Sequence, residues 1–138
     1  MNGAGELRIP AEVDRLPEVL AFLEQELEAA ACPMKAQMQL SVAVEEIFVN
    51  IASYAYAPDH GMAELQVALL KDPRRVSVTF RDSGRPFDPV KQQEPDLTLP
   101  AEEREIGGLG IYMTKKAVDE MVYEHREGQN VLTLIKRC

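Results

Sequence analysis

Glu46 and Asn50 stand four residues apart within an apolar stretch made of Leu40, Ala43, Val44, Ile47, Phe48 and Ile51. On a helix that spacing sets two side chains only about 40° apart round the axis, so both point the same way, with Ser53 close to them. A carboxamide oxygen can ligate Mg²⁺, a hard cation that takes few protein ligands and keeps phosphate oxygens in its shell. A carboxylate beside it can accept the proton of a water or hydroxyl nucleophile. The same two residues also fit a solvent-facing polar stripe on a core helix. Glu45 points elsewhere and reads as a solvated charge.

A second group is Arg81-Asp82-Ser83-Gly84-Arg85-Pro86-Phe87-Asp88-Pro89, which follows directly from an alternating run. A carboxylate at a strand end, in a partly closed pocket, is a strong and selective acceptor for an exocyclic amino group such as adenine N6. Gly84 lacks a Cβ, so a flat base can approach the backbone there. Asp, Gly and Pro are equally the residues of an ordinary turn. The third group is Ile106-Gly107-Gly108-Leu109-Gly110-Ile111. Glycines at a helix start let backbone amides face a phosphate, and the helix dipole adds partial positive charge. A plain helix start has the same composition. No Gly-Lys-Ser/Thr follows, so this is not a Walker A loop.

These groups need elements to hold them. Glu6 to Ile9 alternates as a short strand. Asp14 is placed to cap a helix carrying Leu16, Val19, Leu20, Leu23 and Leu27. Cys32-Pro33 breaks it. A second helix is expected from about residue 34 to Tyr56, ended by Pro58-Asp59-His60-Gly61. Leu65, Val67 and Leu69 alternate, as do Val76, Val78 and Phe80, with residues 71–74 as a hairpin connection. Residues 83–108 show no period and read as a long loop, a type that is usually functional. A third helix from about 109 to 120 precedes strands at 121–125 and 131–135, turned at Gly128-Gln129-Asn130. Hairpin-joined strands imply a mixed, mostly antiparallel sheet with three helices on one face, an α+β fold in the form of a two-layer α/β sandwich.

The bulk properties narrow the function classes. The chain of 138 residues is 46% hydrophobic and 28% charged, the balance of one ordinary globular domain. Its net charge of −8 disfavours nucleic acid, because its basic clusters are only the pairs Arg74-Arg75, Lys115-Lys116 and Lys136-Arg137. No apolar run reaches the length of a membrane span and no secretory signal opens the chain. Cys32 and Cys138 have no metal-ligand spacing, and the terminal position of Cys138 argues against a structural disulfide. A reducing cytoplasm is the expected setting.

Taken in order, helical Glu-x-x-x-Asn, strand-end Asp-x-Gly, a long loop and Gly-x-Gly into a helix, the motifs resemble the GHKL (Bergerat-fold) superfamily over nearly the whole chain. Residues 45–50 look like its N box, Asp82-Ser83-Gly84 like its G1 box and Gly108-Leu109-Gly110 like its G2 box. Tyr54-Ala55-Tyr56, Gly84-Arg85-Pro86-Phe87-Asp88-Pro89 and the tail from Gly107 to Leu134 are similar to the anti-sigma-factor serine kinases within it. The resemblance implies one ATP-binding domain over residues 1–138, with an ATP lid at about 90–106. It implies Glu46 as general base on a protein serine, Asn50 as the Mg²⁺ ligand, Asp82 as the reader of adenine and Thr133 as a support of the adenine pocket. Gly84, Gly107, Gly108, Leu109 and Gly110 would contact the nucleotide, and Arg104 either reaches the γ-phosphate when the lid closes or is a solvated lid charge beside Glu102, Glu103 and Glu105. Ser53 and Tyr54 depart from the family, which often has Arg and His there. The implied partners are an anti-sigma-factor antagonist, a sigma factor and a second copy of the chain, with no nucleic acid and no membrane. A module that holds or releases a partner on ATP occupancy, without phosphoryl transfer, stays open as the alternative. A detached histidine-kinase domain fits less well, since no dimerising helix pair carries a phosphorylatable His; His60 falls in a turn and His125 in a strand.

Overall fold

The computed structural model describes residues 5–57, 59–71, 73–86 and 108–138. Their elements, in chain order, are β1 (Gly5–Pro10), α1 (Leu16–Ala29), α2 (Met34–Asn50), β2 (Met62–Leu70), β3 (Arg75–Asp82), α3 (Gly108–Ala117), β4 (Glu120–Arg126) and β5 (Gln129–Arg137). The five strands form one sheet in the order β1-β2-β3-β5-β4. Every pairing is antiparallel, so the mixed component expected from the sequence is absent from this sheet.

Side chains alternate across a strand, and the register makes the two faces explicit. Leu7, Leu65, Phe80, Leu132 and Tyr123 lie in one row across the sheet, and Val67, Val78, Leu134 and Met121 in the next. These rows join the core, together with Val19, Leu23 and Leu27 of α1, Leu40, Val44, Ile47 and Phe48 of α2, and Ile111 of α3. The opposite rows hold Glu6, Gln66, Thr79, Thr133 and Val122, and Arg8, Glu64, Arg81, Val131 and Glu124. Val131 is buried yet stands outside the core cluster, as its place on that second face requires. The α+β sandwich with helices on one face is the architecture observed. Phe48 and Phe80 are fully buried at its centre, each worth about 1.5–3 kcal/mol of burial free energy.

Several local expectations are corrected. Asp14 does not cap α1: it sits in a 3₁₀ turn, Val13–Arg15, and α1 starts at Leu16 with no side-chain cap. Pro17, in the first turn, has no N–H to cap. The second helix continues past Asn50 as a π-helical turn, Ile51–Ala55, instead of running on as regular α-helix. Such turns are uncommon and cluster at functional sites. Cys32 and Cys138 do form a disulfide. The terminal position of Cys138 argued against this bond, but β5 carries the C-terminus to the corner between α1 and α2, and the Cα atoms stand 5.3 Å apart. Arg74 reaches the same corner and donates to the Ala30 carbonyl at the end of α1. The β4–β5 turn is also tighter than expected: Glu127 and Gly128 both have positive φ, the two-residue turn that matches strand twist.

Candidate functional site

On α2 the buried face is formed by Ala36, Gln37, Leu40, Ala43, Val44, Ile47 and Phe48. Glu46 and Asn50 are both half-buried and border that face, whereas Glu45 is exposed. Asn50 Nδ2 donates to the Glu46 carbonyl at 2.9 Å. This bond orients the carboxamide: the nitrogen is committed to the helix, and Oδ1 is left as an acceptor with no protein donor among the described residues. The Asn50 oxygen is thus the atom available to a cation. Among the described residues no cluster of three or more His, Cys, Asp or Glu could hold a metal. A single amide oxygen suits Mg²⁺ shared with phosphate oxygens better than an all-protein cage.

Asp82 closes β3 on the helix face of the sheet and is only 6% exposed. Its Oδ1 accepts from the Gly84 amide at 2.9 Å and from Asn130 Nδ2 at 2.9 Å. Oδ2 receives no donor among the described residues. Among the described residues no fully buried side-chain oxygen lacks a partner, so Oδ2 keeps some access to solvent. An acceptor held in place and left unfilled can bind an amino group.

What joins Asp82 to the α2 side is the turn after it. Arg85 N donates to Ala55 O at 2.8 Å, and Arg85 Nη2 donates to Tyr54 O and Ala57 O at 2.9 and 3.2 Å. Tyr56 Oη accepts from Ser83 N at 2.8 Å and donates to Met62 O at 2.6 Å. The π-helical turn is therefore clamped to the Asp82 turn, which places the helix bearing Asn50 relative to Asp82. A Cβ on Gly84 would overlap the Ala55 backbone. This helix-to-turn packing is a reason for Gly84 besides the expected approach of a base.

The remaining expected residues divide. Gly108, Leu109 and Gly110 form the first turn of α3, where backbone N–H groups have no partner within the helix. Arg104, Gly107 and the lid at 90–106 lie outside the described residues. Thr133 is not brought to Asp82. It pairs with Thr79 on the helix-free face, hydroxyl to hydroxyl at 3.3 Å, and three residues along a strand separate it from the site-facing position. That position is Asn130, directly opposite Asp82 in the register and 6% exposed. Sequence reasoning took Asn130 as a turn residue. The signal was present in its alternation with Leu132 and Leu134, both of which face the core.

A sheet covered by helices on one face thus carries an unfilled carboxylate at a strand end and a presented carboxamide on α2, a pair of acceptors that suits an amino group and a hard cation. The chain belongs to the histidine kinase-like ATPase domain family, whose family model matches residues 9–136. It is 29% identical over 100 residues to the serine/threonine-protein kinase BtrW of Bordetella bronchiseptica, covering 72% of this chain and 70% of that protein. It is 25% identical over 131 residues to the serine-protein kinase RsbW of Bacillus cereus, covering 92% and 81%. Among solved structures it resembles the RsbU and RsbW domains of Rv1364c from Mycobacterium tuberculosis, with a TM-score of 0.67 at 19% identity. That likeness covers 97% of this chain but only 32% of the other. The histidine kinase domain of Erythrobacter litoralis EL346 is similar at a TM-score of 0.56 and 12% identity, over 93% of this chain and 61% of that one. The last two likenesses bear on the fold.

Proposed function

We propose that this chain, read as one domain over residues 1–138, is a regulatory serine protein kinase that transfers the γ-phosphoryl group of Mg·ATP to a serine of an antagonist protein. In its other role it sequesters a sigma factor. The observation that carries the reading is the pair of unfilled acceptors, Asn50 Oδ1 and Asp82 Oδ2, clamped together through the Gly84–Ala55 contact. Asp82 would accept from the adenine amino group, Asn50 would hold Mg²⁺, and the first turn of α3 would face the phosphates. Mg²⁺ would neutralise phosphate charge during transfer. Glu46 would take the proton of the serine hydroxyl as its oxygen bonds to the γ-phosphorus, the bond to the β-phosphate oxygen breaks and ADP leaves. The names of BtrW and RsbW support the serine-kinase reading. A homodimer belongs to the same proposal, and so does a cytoplasmic setting, which now rests on the likeness to RsbW alone because the Cys32–Cys138 disulfide removes the argument from unpaired cysteines. Among the described residues no helix is long and apolar enough to cross a membrane.

Glu46→Gln tests the chemistry. It keeps the shape and removes the proton acceptor, so ATP affinity should stay within a few-fold while transfer falls by roughly 10²–10⁴. Transfer at the native rate in this variant would remove Glu46 as the base. A native protein that binds ATP but phosphorylates no antagonist protein would instead be an ATP-dependent interaction module.

A further inference from the structure

Asn130 and Tyr123 have no part in the chemistry proposed so far, yet Asn130 stands against the Asp82 carboxylate and Tyr123 against Asn130. The Asn130 side chain makes every hydrogen bond its surroundings allow. Its Nδ2 lies among three oxygens that can only accept: Asp82 Oδ1 at 2.9 Å, Arg85 O at 2.9 Å and Gly84 O at 3.4 Å. Its Oδ1 accepts from the hydroxyl of Tyr123, which reaches it diagonally from β4. That chemistry leaves the amide only one orientation, because a flip would set an oxygen against three acceptors. The consequence falls on Asp82. With Oδ1 saturated by Asn130 and the Gly84 amide, the carboxylate cannot turn about its own axis without losing both bonds, and Oδ2 is the only acceptor it presents.

We propose that Asn130, held by Tyr123, is the positioning residue that makes the Asp82 carboxylate selective for a 6-aminopurine over a 6-oxopurine. The proposal rests on the nucleotide reading of the site given above. A 6-amino group donates to Oδ2, whereas a 6-oxo group sets a second acceptor against it. A carboxylate free to swing would lose the bond to the amino group and relieve the repulsion from the oxo group, so selectivity depends on its being held. Asn130 holds it on one side and pins the Gly84–Arg85 turn on the other. Tyr123 holds Asn130.

The experiment measures the affinities of ATP and inosine triphosphate, which differ at the purine 6-position, by calorimetry on the whole chain with Mg²⁺. The native protein should prefer ATP. Asn130→Ala should weaken ATP by about tenfold or more, the usual cost of losing a hydrogen bond to a charged group, and leave inosine triphosphate nearly unchanged, so the ratio collapses. Tyr123→Phe removes one hydroxyl and should lower the same ratio by a smaller factor. It also serves as the test if Asn130→Ala does not fold. Asn130→Asp gives a readout that packing alone does not move. It sets a second carboxylate against Asp82 Oδ1, which raises the affinity of the pair for a proton. One shared proton restores the donor, so ATP binding in this variant should strengthen as pH falls from neutral toward 5, while native binding stays comparatively flat.

If both nucleotides weaken equally in Asn130→Ala and Tyr123→Phe, the residues are structural and this inference is overturned while the ATP site stands. It is overturned in the same way if Asn130→Asp binds ATP without the rise at low pH. If the native protein binds neither nucleotide, the proposed function fails and the inference with it.

Discussion

Asp82 and Asn50 each present one oxygen, and each oxygen is set by what the other polar atom of the same side chain does. At Asp82, donors approach from the protein through Gly84 and Asn130 and, in the proposed complex, from the base. A neutral amide there has one acceptor for two sets of donors, so Asp82→Asn must face a donor with a donor on one side. Leaving such a group unsatisfied costs about 1–3 kcal/mol, or roughly tenfold to a hundredfold in ATP affinity. Calorimetry showing unchanged ATP affinity in a folded Asp82→Asn protein would exclude Asp82 as the base reader. At Asn50 the helix bond to Glu46 O leaves Oδ1 for the metal. Asn50→Ala should therefore abolish the strengthening of ATP binding by Mg²⁺ and lower phosphoryl transfer. Titrations with ATP in Mg²⁺ and in EDTA check it: a native-sized metal effect in the variant would move the ligand elsewhere. Alanine is a better helix residue than asparagine, so thermal stability should not fall.

At the scale of elements, the site is an agreement between a π-helical turn and the turn after β3. Gly84 is the point of contact, since any side chain there meets the Ala55 backbone. Gly84→Ala should force the two turns apart, with about 1–3 kcal/mol lost to overpacking and a loss of ATP affinity, because Asp82 and the α2 extension no longer hold their relation. Gly128 provides the comparison. Its φ is +77° and nothing lies within 4 Å of a Cβ placed there. Gly128→Ala should cost about 1–2 kcal/mol from backbone strain alone and leave ATP affinity unchanged. Thermal melts and ATP titrations of both variants separate the cases. Equal ATP affinity in the two would show that the Gly84–Ala55 contact does not position the site.

For the whole molecule, the disulfide joins the first helical corner to the last residue of the chain, just past β5 and 106 positions away in sequence. A cross-link that closes a loop of this length restricts the unfolded chain strongly, and native bonds of the kind contribute about 2–4 kcal/mol. Cys138→Ser, or reduction of the native chain, should lower the urea midpoint accordingly. Midpoints that coincide with and without reductant would show that the link adds nothing to folding. The site lies at the ends of β3 and β5 far along the strands from this corner: Asp82 pairs with Asn130, while Cys138 follows Arg137, the partner of Arg75. ATP affinity should therefore be the same in the oxidised and reduced protein while both are folded.

Local pattern was enough to determine the elements and the residues on one of them. Apolar spacing marked α1, α2 and the alternating strands, and the four-residue interval placed Glu46 and Asn50 together on α2, because helical periodicity is a property of neighbouring residues. The strand-end place of Asp82 and the helix start at Gly108 followed from local pattern as well. What lies between elements was decided by the tertiary structure. Thr133 and Asn130 are three residues apart, and only pairing across β3 showed that Asn130 faces Asp82 while Thr133 faces away. Cys32 and Cys138 read as unpaired until the sheet was seen to bring the chain end to the α1–α2 corner. Gly84 read as room for a ligand, and its packing against Ala55 became visible only in the fold. In each case the deciding contact joins residues far apart along the chain, and such contacts exist only once the hydrophobic face of the sheet has closed on the helices.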